Sequence, residues 1–311
     1  MVTLDGWKER GVISPEQYAW LDGLTRREPF SVFFELNILL YAGVIALVAG
    51  LAWTVQSYSR ELGDVVVLAV LSGILAACLW YCFSRAQAWS AAESPAPSLV
   101  FDYVLYLGAL SWSVELGYLE SRFHLLPGQW DIYLLATACF FFVLAYRFDN
   151  RLVLSLALSA LAGWFGIRIQ YWPGSNEASY RELAILYSVV TGVAGILLAR
   201  RSIKAHFLLT YLNLAANVFF LAVLSGVFRR EGYAKWFLVL LAAWGASLVY
   251  GLREKQFSFV VYAAVYGYAG VSSVLIRGIN DSVGVLGYFV VTGIVMLVLL
   301  TKIARRSGRE T

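Results

Sequence analysis

Charge is what this chain has least of. Asp, Glu, Lys and Arg make up 14% of 311 residues, against 60% hydrophobic residues and a mean hydropathy of +0.70. A soluble domain carries roughly 25% charged residues. With so few, the chain cannot cover its apolar surface in water, and a soluble globule is excluded. Cysteine is equally sparse. Cys78 and Cys82 lie one helical turn apart in one apolar stretch and Cys139 lies in another, so a disulfide framework is excluded by position. A metal bound by Cys78 and Cys82 would need ligands the sequence does not offer, and all three read as small buried residues. There are two His residues, His124 and His206, and no HExxH, Walker A, GxSxG or GxGxxG pattern. Nothing points to an enzyme, and no cofactor or metal is expected. A cleavable signal peptide is not expected either. The first 33 residues hold nine charges and no short apolar core.

What the chain has instead is ten apolar stretches, read as spans over 34–58, 63–84, 101–121, 131–148, 151–171, 181–199, 204–227, 234–252, 257–276 and 283–303. About 20 apolar residues cross roughly 30 Å of hydrocarbon. No water is available there to bond the backbone, so each span must be a helix. The fold class is all-α: a polytopic membrane protein of about ten helices, preceded by a short N-terminal helical hairpin. The third span is the least regular, since Glu115 and Glu120 lie inside it. The fourth and fifth are parted only by Arg147 to Asn150.

Lys and Arg give an orientation. With the N-terminus inside, sixteen of them fall in inside segments and eight outside, with Arg229, Arg230 and Lys235 the main dissent. Both termini are therefore expected in the cytoplasm, with the first span as an uncleaved anchor. This topology puts His124 outside and His206 inside, where they cannot share an active site. The net charge of +4 is mostly this topology signal and does not argue for nucleic acid. Trp53, Tyr58, Trp80, Trp89, Tyr171, Trp172, Trp236 and Tyr250 cluster near span ends and read as interfacial anchors.

Residues 1–30 form a separate cytosolic piece before a membrane domain over 31–311. Ser14 is an N-cap, Pro15 suits the first turn, Gln17 completes a capping box, and Ile13 with Tyr18 forms a hydrophobic staple. The hairpin is too small for its own core. It is expected to pack on lipid, on the loops or on a protein partner. The basic tail 302–311, with Lys302, Arg305, Arg306 and Arg309, is expected at anionic lipid.

The run from Trp7 through Gly11-Val12-Ile13-Ser14-Pro15-Glu16-Gln17 resembles the N-terminus of a bacterial family of predicted integral membrane proteins, named only as a domain of unknown function. Leu40-Tyr41-Ala42-Gly43-Val44-Ile45 through Trp53 is similar to that family's Gly-rich first span, and Tyr106-Leu107-Gly108-Ala109-Leu110 is similar to a later span that opens L-G-A-L. The resemblance implies a bacterial inner-membrane protein and no particular activity.

Polar residues inside spans are the candidate sites. On the seventh span His206, Thr210, Asn213 and Asn217 recur at four, three and four residues, which makes one stripe. It reads either as a substrate or water pathway or as interhelical hydrogen bonding, the usual role of Asn in bundles. On the third span Ser111, Glu115, Tyr118 and Arg122 share a face. Glu115 reads as a proton or cation site, or as half of an ion pair with Arg168 or Arg277. Glu120 is expected to be solvated. Small residues at Ala42-Ala46-Gly50, Ala243-Ser247-Gly251 and Ala263-Gly267 read as packing faces within the bundle. The function these features suggest is a structural, sensory or partner-binding component of the inner membrane. The alternative is a secondary transporter of an unidentified small molecule, built from two five-helix halves.

Overall fold

A computed structural model describes residues 63–278, apart from 95–96, 172, 175 and 230–231, with shorter stretches within 42–57 and 284–295 and Ser14. The hairpin at 1–30, most of the last span at 283–303 and the basic tail at 302–311 lie outside the described residues. The chain divides into two units, Met1–Val70 and Leu71–Thr311. In the first, α1 covers Ala42–Leu51. The remaining helices are α2 (Asp64–Arg85), α3 (Leu99–Phe123), α4 (Trp130–Phe148), α5 (Arg151–Arg168), α6 (Glu177–Arg200), α7 (Leu208–Val227), α8 (Tyr233–Arg253) and α9 (Phe257–Leu275). No strand occurs among the described residues. Seven of these helices, α2 and α4 through α9, are long and apolar enough to cross a bilayer. The protein is a multi-pass helical membrane protein. At 25 residues α3 is long enough too, but it carries Asp102, Glu115, Glu120 and Arg122.

Helix ends fall where the local chemistry puts them. Asn150 accepts hydrogen bonds from the backbone N–H groups of Leu152 and Val153, both at 3.0 Å, and so starts α5. Asp149 takes a left-handed conformation that ends α4. This two-residue turn separates the fourth and fifth spans, a boundary that hydropathy alone leaves open. Asn176 caps α6 in a reciprocal capping box with Ser179. Arg85, Arg122, Arg147, Arg168, Arg200 and Arg253 all sit in last turns, where a cation faces the negative end of the helix dipole. Arg122 and Arg168, two of the eight cations that the expected topology puts outside, therefore have a local reason to be there.

Within the second unit α4 packs on α5, α6 on α7 and α8 on α9, and α7 also meets α5, α8 and α9. Phe220, Val223, Leu224 and Val227 of α7 close a core with Leu240 of α8, where Phe220 stacks on Tyr266 at 5.0 Å. The small residues of α8 and α9 act inside the bundle, whereas Ala42, Ala46 and Gly50 of α1 are exposed among the described residues and do not form the expected packing face there. Ser247 donates to the Phe259 carbonyl at 2.9 Å, and the Trp244 ring fills the space where a Cβ on Gly267 would stand. Trp53, Trp80, Trp89 and Tyr171 are exposed near helix ends, as anchors should be. Trp236 is different: its ring lies against Gly226 and under the Arg181 guanidinium, so it is a packing residue.

α6 approaches α7 closely at Gly195, where an added Cβ would stand 2.5 Å from the Tyr211 Cβ. Gly195→Ala should therefore cost about 1–3 kcal/mol through forced separation of the pair. Gly245→Ala, on α8 with no atom within 4 Å, should be tolerated. Thermal unfolding in detergent checks this, and an equal loss for both would refute the packing assignment.

Candidate functional site

The polar residues of α3 divide into two groups with opposite fates. Near its C-terminal end Glu120 is buried. Its Oε2 accepts from the Tyr133 hydroxyl at 2.5 Å and from the Leu126 N–H at 3.4 Å. The expectation of a solvated Glu120 is thus corrected. The loop after α3 folds back and Tyr133 reaches across from α4, which encloses the carboxylate. Tyr118 is buried and Arg122 is exposed in the last turn.

Glu115 is less well served. Its Oε1 accepts from the Ser72 hydroxyl of α2 at 2.5 Å. Among the described residues its Oε2 is buried without a hydrogen-bond partner, as are Ser111 Oγ and Trp112 Nε1. The expected pairing with Arg168 or Arg277 does not form. Arg168 lies 3.3 Å from Asp131, and Arg277 donates to the carbonyls of Val227 and Arg229 while its guanidinium sits 4.0 Å over the Tyr233 ring. The α2–α3 contact that presents Ser72 is close and antiparallel. One end is the Ser72–Glu115 bond. Further along, a Cβ on Gly108 would stand 3.0 Å from the Cys78 Cβ. Cys78 and Cys82 are buried free thiols in this seam.

The stripe on the seventh span is broken by the structure. His206 lies in a 3₁₀ turn, Ala205–Phe207, ahead of α7, and its Nε2 meets Asp149 Oδ1. Thr210, half-buried, begins the helical part. Asn213 Oδ1 accepts from Ser258 at 3.0 Å, and Asn217 Oδ1 accepts from the Tyr266 hydroxyl at 2.8 Å. Asn217 Nδ2 donates to the Asn213 carbonyl at 2.8 Å. Both side-chain carbonyls therefore join α7 to α9.

His206 belongs to a node that spacing within one helix could not reveal. The Asp149 carboxylate accepts from Lys204 Nζ at 2.8 Å and from the Ser94 N–H at 2.5 Å, in addition to its contact with His206. The Lys204 and Asp149 side chains are 2% and 3% exposed, so the pair is buried. Lys204 also donates from its ammonium to the Ala92 carbonyl at 3.1 Å and from its N–H to the Ala91 carbonyl at 2.8 Å. Asn150 Nδ2 reaches Asp102 Oδ1 and the Tyr106 hydroxyl, each at 2.9 Å. The three connections α2–α3, α4–α5 and α6–α7 are thus fastened together at one end of the bundle. A neighbouring cavity lined by Gln87, Ser90, Arg147 and Lys204 measures only about 20 Å³, room for about one water and no substrate. The readable signal was the Asp149-Asn150 turn. Its partners 55 and 57 residues on were not readable.

Removing one member of a buried pair strands the other charge, typically at a cost of about 3–5 kcal/mol. Lys204→Met should lose stability on that scale, and Lys204→Met with Asp149→Asn should lose less than the sum of the two single changes. Denaturation of the purified protein in detergent measures the cycle. Strict additivity would show that the node is not coupled.

Residues 5–154 match the model of a family described as "Predicted membrane protein (DUF2157)". Neither a curated protein nor a solved structure matches the chain. The matched segment holds Ser72, Ser111, Trp112, Glu115 and Asp149, and ends before Lys204 and His206. Over residues 5–154, then, the chain matches a family of predicted membrane proteins of unknown function, the kind of family its N-terminal pattern resembles.

Proposed function

We propose that this protein is a partner-binding structural component of the bacterial inner membrane, with both termini in the cytoplasm and the hairpin at 1–30 as the segment that meets its protein partner. The observation that carries this reading is the engagement of the α7 amides. A translocation pathway needs polar groups free to exchange partners, whereas Asn213 and Asn217 hold Ser258 and Tyr266. Unequal packing of the two presumed halves supports it as well. In an inverted repeat of five helices, α3–α4 would correspond to α8–α9. Yet α8 packs extensively on α9 while α3 touches α4 sparsely.

Three measurements test this. Activity reporters fused at Thr311 and after Asn280 should report inside and outside respectively; a C-terminal reporter active only outside would overturn the orientation. Photo-crosslinkers replacing Trp7 and Tyr18 in cells should give adducts of discrete mass, and their absence from correctly inserted protein would overturn partner binding through this hairpin. Asn217→Leu and Tyr266→Phe should each cost about 0.6–1.7 kcal/mol, the range for interhelical hydrogen bonds, and leave the adducts unchanged. A variant that folds normally but loses its adducts would mean that α7 does more than hold helices together.

A further inference from the structure

Three buried polar atoms without partners among the described residues, Ser111 Oγ, Trp112 Nε1 and Glu115 Oε2, lie within five residues of α3. At about 100° per residue they span one arc of the helix, with Trp112 on one side and Glu115 between it and Ser111. Ser111 is fully buried. The Trp112 indole is held by its stack on Phe140 of α4, with ring centroids at 4.5 Å. Ser72, exposed on α2, adds a hydroxyl at the edge of the cluster through its bond to Glu115 Oε1. Native proteins rarely leave buried polar atoms unpaired, and a cluster of them calls for an occupant.

The chemistry of the cluster restricts that occupant. Its donor atoms toward a cation are all oxygen, two from the carboxylate and one from each serine, which suits a hard ion and not a thiol- or imidazole-loving metal. One carboxylate balances one positive charge. A proton alone would remove the charge but leave the serine hydroxyl and the indole N–H unserved. A small hydrated cation serves all of them: the ion takes the carboxylate and serine oxygens, and a water in its shell accepts from the indole N–H. We propose that Glu115, Ser111 and Ser72 form an intramembrane site for a small monovalent cation of sodium's chemistry, with Trp112 orienting one of the ion's waters. The site does not depend on partner binding by the hairpin.

Sodium itself is the probe. The purified full-length protein in detergent is heated in NaCl and, at equal ionic strength, in choline chloride. Sodium should raise the melting temperature in a saturable manner, and Glu115→Gln should abolish the rise. Ser111→Ala removes a hydroxyl that holds no protein partner, so it should fold normally and weaken the half-effective sodium concentration by roughly tenfold or more, the loss of one charge–dipole ligand. Modification of Glu115 by a hydrophobic carbodiimide, followed by mass spectrometry, gives a second readout in the unmutated chain: sodium should protect it and choline should not. Equal melting and equal modification in the two salts would overturn the proposal. So would a sodium effect that survives intact in both Glu115→Gln and Ser111→Ala.

Discussion

A polar group in hydrocarbon must find its partner inside the protein, because lipid supplies none. Most of this structure follows from how that demand is met. Backbone groups meet it through helix formation, and so the chain resolves into rods joined by short connections. Side chains meet it across the seams between rods. The seams then become specific: Asn213 with Ser258 and Asn217 with Tyr266 fix α7 on α9, and Tyr187 donates to the Leu158 carbonyl at 2.7 Å to fix α6 on α5. Apolar packing between helices has no solvent to escape from here, so these bonds and the close approaches at Gly195 and Gly267 carry more of the specificity than they would in water.

The same demand explains the charged node at the connection end. Asp149 could not remain buried alone, and its surroundings supply an ammonium, an imidazole and a backbone N–H. The cost of burying the charges is offset by fastening three connections at once. Lys204 contributes in two ways, since its backbone N–H and its ammonium both reach the α2–α3 connection. The segment before α3 is thereby tied to turns that lie far from it in sequence, and α3 enters the bundle at a fixed height through Asn150, Asp102 and Tyr106.

Much of the architecture was legible in the sequence because length and hydropathy act locally. The spans at 63–84, 131–148 and 257–276 match α2, α4 and α9 to within a few residues. The turn between α4 and α5 was legible only as an ambiguity, resolved by capping at Asp149 and Asn150. The sites were less legible, for a physical reason. Helical spacing finds residues that share a face of one rod, and so it joined Asn213 to Asn217 correctly. It also added His206, because a period of 3.6 continues on paper through a residue that the chain has turned into a 3₁₀ corner. Lys204 is only one of sixteen inside cations in the sequence, since its carboxylate partner lies on another connection. Ser72 gave no signal at all, because a lone serine on an apolar helix becomes informative only when the helix opposite it carries an acid.

Glu115 and Glu120 show how one helix can hold both a structural and a chemical carboxylate. They are five residues apart and both enclosed, at least in part, by protein. Glu120 Oε2 has an O–H and an N–H donor, and its backbone carbonyl accepts the His124 N–H that ends the helix. Replacing what surrounds it would undo a helix terminus. Glu115 has one serine for one oxygen and unpaired neighbours around the other. No helix ends there, and among the described residues Ser111 Oγ and Trp112 Nε1 hold no hydrogen-bond partner. Cost without structural return is how functional polar groups in membranes are recognised. By that criterion α3, with Asp102, Glu115, Glu120 and Arg122 along its length, owes its polarity to two different demands. Its ends serve the bundle, and its middle holds the polar atoms that no described neighbour satisfies.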